Sequence, residues 1–308
     1  MLNLGYCCIN QTLRNKKIPV YGSRSLNRKN FTLMKASQLA LQNVKDILTI
    51  LHWNESNNIR VFRIGSEPLP RSNDPLVGYS IDQLPDSVEI IKILKSIGKF
   101  AYDHKHLLSF HPGQFVCIGS SNESVRQMGI LALERENEVA DIICSEYKSH
   151  LPINIHVGSS YGLDFLNTSN RFINSFNSLS PTLKYRLTVE NDDKVNGWSV
   201  HNLFYYLSLR IDIPIVFDVH HWKFCNDYKS IDDNKMYNDF LLAYSTWHTN
   251  MQVHYSESSN INKLIPKHSE YCTSLMPKWL NEFNDIHIHI EAKQKELAVL
   301  QYKKLIDF

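Results

Sequence analysis

The run Ile213–Trp222, IPIVFDVHHW, sets residues suited to a strand sealed on both faces directly before Asp218, His220 and His221. A carboxylate and two imidazoles are good metal ligands and proton carriers, and burying any of them unpaired costs several kcal/mol. The pattern recurs. Short apolar runs end at His111 (LLSFH), His156 (INIH), Glu190 (LTVE), His254 (MQVH) and Glu291 (IHIHIE). A lone histidine in such a run is ordinarily a hydrogen-bonded core residue, and His287 and His289, deeper along the last run and on the same face as Glu291, are read as core residues or as supports beneath the site. A carboxylate or imidazole at every one of these ends is better explained by a shared set of cations, which removes the burial cost. His111, His156, Glu190, Asp218, His221, His254 and Glu291 are therefore read as metal ligands, with His268 in PKHSEY as a further candidate. His220 alternates away from Asp218 and is assigned a supporting place behind the ligands.

Carboxylates mixed with imidazoles, without thiolates, favour Mn2+, Zn2+ or Fe2+ over Ca2+ or Cu+. The ligands exceed the need of one ion, so two or three divalent ions are expected, Mn2+ foremost, with Zn2+ or Mg2+ as alternatives. Ions spaced by about 3.5–4 Å ionise a water, clamp a phosphate and stabilise a leaving oxygen. That chemistry suits phosphodiester hydrolysis, and Glu190, Glu291 and His254 are placed at its catalytic centre.

Elements must bring these side chains together. Apolar runs fall at 2–8, 60–64, 107–110, 153–157, 186–190, 213–218, 251–255 and 286–291. Between them lie segments with helical spacing, such as Leu41, Val44, Ile47, Leu48 and Leu51, or Ile90, Ile93, Leu94 and Ile97. Strands alternating with helices imply a parallel sheet, and eight such units imply one (β/α)8 TIM barrel over residues 1–308. Such barrels assemble their sites at the carboxyl ends of the strands, where the candidate ligands stand.

Composition agrees with a folded domain: of 308 residues, 43% are hydrophobic and 21% charged. The start, MLNLGYCCINQTL, does not read as a signal peptide, and no apolar run reaches the ~20 residues of a membrane span. The 6 cysteines contain no CxxC pair. A monomer in a reducing, intracellular compartment is expected, with cytoplasm and nucleus not distinguished. The net charge of +2 hides an asymmetry: no acidic residue precedes Asp46, while Arg14, Lys16, Lys17, Arg24, Arg28, Lys29, Lys35 and Lys45 do. One reading is a solvated loop. The other is a phosphate-binding arm at about residues 11–35, in which Arg14, Lys16, Lys17, Arg24, Arg28 and Lys29 hold a polyanion.

In order and spacing, LGYCCINQTL, RIGSEPLP, LLSFHPGQF, INIHVGSSYG, LTVENDDK, VFDVHHW, VHYSES, HSEY and HIEAKQKE resemble the motifs of the UV damage endonuclease family, from residue 2 to 296. The resemblance implies a TIM-barrel nuclease with a divalent, typically manganese-containing cluster. It further implies nicking of damaged double-stranded DNA immediately 5′ to UV photoproducts and some other lesions, leaving a 3′-hydroxyl. It implies that the ligands named above hold metal, and that Tyr6, Asn10, Gln114 and Phe115 approach DNA at the lesion. Two positions depart from the pattern. Gln252 stands where the family often has a lysine directed at the metals, and Phe115 where it often has tyrosine. Gln252 and Lys293 are expected beside the ligands, with Lys293 pairing with a ligand carboxylate or with phosphate, or else making a plain salt bridge. Three other readings stand beside this one: an abasic-site endonuclease with a related three-metal barrel, a two-metal sugar isomerase, and a barrel that binds without catalysis. The HPGQ segment and the basic arm argue against the isomerase, because a small sugar needs neither.

Overall fold

The computed structural model describes residues 3–226, 228, 231–260 and 264–306. Its strands fall inside the runs expected: β1 (Asn3–Cys7), β2 (Val61–Arg63), β3 (Leu107–Ser109), β4 (Ile153–Ile155), β5 (Leu187–Glu190), β6 (Ile215–Asp218), β7 (Met251–Tyr255) and β8 (Ile286–Ile290). All pair in parallel in the order β3-β2-β1-β8-β7-β6-β5-β4. The two ends of that order meet at Phe110. Its N–H donates to Pro152 O at 2.9 Å and its carbonyl accepts from Asn154 N–H at 3.0 Å, which closes the barrel.

The helices cover the outside for reasons visible in sequence. Thr32 caps the helix Leu33–Ser56 by accepting from Lys35 N–H, and Ala36, Ala40, Val44, Ile47 and Leu51 form its buried stripe. The helix Ser87–Asp103 turns Ile90, Ile93, Leu94 and Ile97 inward. It lies so close to the helix Glu123–Tyr147 that a Cβ on Gly98 would meet Ile143 O at 2.1 Å, so only glycine permits this packing.

The barrel lumen departs from the usual filling of branched aliphatics. Period-two alternation sends Ile286, Ile288 and Ile290 out to the helices and His287 and His289 in, and on β7 sends Gln252 and His254 in. Thr188 Oγ1 donates to Asn154 Oδ1 at 3.1 Å across β5 and β4, and Ser109 Oγ lies 3.4 Å from His289 Nε2 across the lumen. The layer beneath the strand ends is therefore polar and cross-linked by hydrogen bonds, a floor suited to holding charged groups in fixed positions.

Candidate metal centre

Glu190, at the end of β5, is the hub. Its Oε1 lies 3.1 Å from His254 Nδ1 and 3.2 Å from His221 Nδ1, and its Oε2 lies 3.1 Å from His111 Nε2 and 4.0 Å from His156 Nε2. Asn154 Nδ2 donates to Oε2 at 2.5 Å, so the carboxylate is aimed from below. Burial pushes the Glu190 carboxyl up, but the facing His254 and His156 and the bonds from His111 and His221 outweigh it and hold the group well below the usual carboxylate range. His111 Nδ1 lies 3.1 Å from Pro112 O, an acceptor for the ring proton when Nε2 faces a cation instead of the Glu190 carboxylate.

The opening motif resolves in the geometry of β6. The strand stops at Asp218, and the helix Val219–Cys225 starts there with Asp218 Oδ1 accepting from His221 N–H at 2.7 Å. Helical spacing replaces alternation, so the residue three positions on comes back beside Asp218, with His221 Nδ1 at 3.7 Å from Oδ2. His220 turns the other way. Its Nε2 lies 3.0 Å from Pro266 O and its ring 5.6 Å from that of His268, so it stands behind a candidate ligand.

Glu291 continues the rim from β8. His254 Nδ1 lies 3.4 Å from its Oε1, and His268 Nε2 lies 3.8 Å from its Oε2. Its closest partner is Arg63 on β2, whose Nη1 donates to Oε1 at 2.5 Å. Burial pushes Glu291 up, and Arg63 followed by His254 brings it well below the usual carboxylate range. Sequence reasoning missed Arg63, although the rule that found the ligands covers it: a charged residue at the end of an apolar run. Of the two readings of Lys293, the structure shows the plain salt bridge. Its ammonium pairs with Glu270 at 3.1 Å on the surface and not with Glu291, because Arg63 already occupies that role from inside the barrel. The thiol of Cys7 also reaches the rim, 4.0 Å from Glu291 Oε1; burial pushes it up, which keeps it a thiol and leaves the donor set to oxygen and nitrogen.

The donor set fits divalent cations. Among the described residues, three groupings bring one ligand atom per residue within 4.8 Å of one another: His111 with Glu190 and His254, Glu190 with Asp218 and His221, and Asp218 with His254 and Glu291. Asp218 Oδ2 is buried without a hydrogen-bond partner, and His254 Nδ1, 3.9 Å from it, makes no aligned one. Buried polar atoms are rarely left so, and a cation among them supplies what they lack. His156 and His268 flank these groupings, His156 held through Nδ1 at 3.5 Å from Asp192 Oδ1.

The residues expected at DNA divide. Tyr6 and Asn10 are corrected: both are fully buried, with Asn10 Nδ2 donating to the Tyr6 hydroxyl and that hydroxyl donating to Asn54 Oδ1 at 2.6 Å. Strand parity is the cause, since Cys7 points into the barrel and Tyr6 therefore points out beneath a helix. Residues 11–35 follow β1 at its carboxyl end, the end of the strands at which the cluster stands. Arg24 is bound to Asp46 at 2.5 Å and Arg28 to Asp74 at 2.8 Å, so these two cations are engaged, while Arg14, Lys16, Lys17 and Lys29 are exposed. Gln114 and Phe115 sit between two cavities. Gln114 lines one of about 490 Å³ with His156, Asp192, Lys194 and His221. Phe115, 73% exposed, lines another of about 240 Å³ with Glu67, Arg135 and Glu136.

Comparison with known proteins gives this arrangement a context. A crystal structure of SacUVDE superposes with a TM-score of 0.83 over 100% of this chain and 98% of that one, at 26% identity. The structure titled AsfvAP:AG, at a TM-score of 0.57 and 11% identity, shares the fold. A UV DNA damage endonuclease of Clostridium perfringens is 30% identical over 97% of this chain and 69% of its own length. A UV-damage endonuclease of Neurospora crassa is 29% identical over 97% of this chain, which spans 50% of that relative. The family model described as UV-endonuclease UvdE matches residues 2–308, so the chain belongs to the UvdE family.

Proposed function

We propose that this chain is a divalent-metal-dependent DNA repair endonuclease that nicks the strand 5′ to UV photoproducts and leaves a 3′-hydroxyl. The observation that carries the reading is the junction of a whole-chain UvdE match with a buried carboxylate–imidazole rim at the strand ends. Glu190, Asp218, Glu291, His111, His221 and His254 would hold the ions, with His156 and His268 at the edges. Bound there, divalent ions supply an ionised water and positive charge for the developing oxyanions.

The remaining work falls to the chain itself. Glu190, fixed by Asn154, keeps its imidazole partners at set distances, and Arg63 holds Glu291 in one orientation. Exposed Arg14, Lys16, Lys17 and Lys29 bring positive charge to the face that a DNA backbone would cross. Gln114 and Phe115 would enter the gap left by poorly stacked bases, Phe115 by stacking and Gln114 by bonding to base edges, a reading supported by the exposure of Phe115 and by Gln114 lining the cavity beside His156 and His221. Extrusion costs a few kcal/mol, least at a damaged step, and one aromatic stack returns about 1–3 kcal/mol. The balance is close, so discrimination rests on that loop.

Supercoiled plasmid in three forms, untreated, UV-irradiated and depurinated, incubated with protein and Mn2+, tests the reading. Nicking confined to the irradiated plasmid, or strongest there, is the expected result. Nicking of depurinated plasmid alone would assign abasic-site cleavage instead, and no nicking of any form would remove the nuclease.

A further inference from the structure

Gln252 is fully buried on β7, beneath the rim and two residues before His254. Its amide nitrogen lies 3.0 Å from His254 Nε2 and 3.0 Å from His289 Nδ1, while its carbonyl oxygen has no hydrogen-bond partner. The two ends of an amide differ in the hydrogens they offer, so the surrounding network decides which end faces the rings.

With nitrogen toward the rings, the amide donates to both. His254 must then offer its Nε2 lone pair and carry its proton on Nδ1. That atom faces Glu190 at 3.1 Å, Glu291 at 3.4 Å and Asp218 at 3.9 Å. A proton there fills the place a cation needs. A half-turn of the amide reverses the arrangement. The oxygen accepts Nε2–H from His254 and Nδ1–H from His289, and His289 Nε2 becomes an acceptor for Ser109 Oγ at 3.4 Å. The amide hydrogens then need an acceptor of their own. His287, in register with Gln252 on β8, has both ring nitrogens buried without a partner, and one of them is an acceptor.

We propose that Gln252 is a positioning residue that acts through its carbonyl oxygen, holding His254 in the Nε2–H tautomer so that the Nδ1 lone pair is presented to a divalent cation. This rests on the cluster being a metal site, and the test keeps the two ideas apart.

Protein stripped by chelation is titrated with Mn2+ against a competing indicator, for wild type, Gln252→Leu, Gln252→Glu and Glu190→Gln. Loss of an outer partner of a metal-bound imidazole is typically worth about 10–100-fold in affinity. Gln252→Leu, which has no acceptor, is expected to bind Mn2+ weaker by that factor with its metal-free melting temperature preserved. Gln252→Glu, which keeps an acceptor, is expected to bind at least as tightly as wild type. In Zn2+-loaded wild type carrying 15N-labelled histidine, long-range proton–nitrogen spectra are expected to put the His254 proton on Nε2. Wild-type affinity in Gln252→Leu, equal weakening in Gln252→Glu, or a His254 proton on Nδ1 would overturn the proposal while leaving the metal site intact. Should Gln252→Leu fail to fold, the wild-type spectra and Gln252→Glu still decide. Failure of wild type to bind, with Glu190→Gln indistinguishable from it, would overturn the metal site and this proposal together.

Discussion

At the scale of residues, Arg63 offers the sharpest expectation. Breaking a buried ion pair by removing one partner leaves an uncompensated charge and costs about 3–5 kcal/mol. Arg63→Met should therefore lower the melting temperature of the metal-free protein, because Glu291, its side chain only 14% exposed, loses the partner 2.5 Å away. Added Mn2+ should recover much of that loss, since a cation answers the same carboxylate. A melting temperature unchanged by the substitution would show that Arg63 does not hold the rim. The ligands themselves were legible in sequence because burying a carboxylate or an imidazole is costly, and the cost recurs at one strand end after another. Asn154 was not, because an asparagine inside INIHV carries no charge and its bond to Glu190 depends on two strands meeting in register. Tyr6 was misplaced for a parity reason: a shift of one residue along a strand exchanges lumen and helix side.

At the scale of elements, the strands were legible because each is a short apolar run set between segments of helical spacing. The change of period at Asp218 was harder to see, because VHHW continues a strand as readily as it begins a helix. Only the cap on His221 N–H shows which occurs. The loop after β3 is the element on which lesion choice should depend. Gln114→Ala with Phe115→Ala leaves every candidate ligand in place, so Mn2+ affinity is expected to stay at the wild-type value. Preference for irradiated over intact duplex should fall by about 10-fold or more, the equivalent of one lost aromatic stack. Undiminished discrimination in the double variant would move the wedge to another loop. The basic segment was half legible: its charge was plain, but Asp46 and Asp74, which engage Arg24 and Arg28, lie outside it in sequence.

At the scale of the whole molecule, the barrel carries ionisable groups that tie its stability to pH. Glu136, on the helix Glu123–Tyr147, is pushed up to about 8 by burial and then by Glu67. The folded state binds that proton more tightly than the unfolded chain, so its contribution is complete below the ordinary value of 4.5 and is lost as pH rises through about 8. Glu136→Gln, which is neutral throughout, should gain stability on wild type between pH 5 and pH 9 in denaturant titrations. Parallel pH profiles for the two proteins would mean that Glu136 is ionised in the fold at no cost. The central claim, that the rim at the strand ends cuts damaged DNA with divalent ions, is tested most directly on a duplex carrying one photoproduct at a defined position and labelled at one end. Wild type with Mn2+ should give one product ending in a 3′-hydroxyl immediately 5′ to the photoproduct. The intact duplex, chelated protein and Glu190→Gln should give none. Cleavage that survives chelation or the loss of Glu190, or that ignores the photoproduct, would contradict the account.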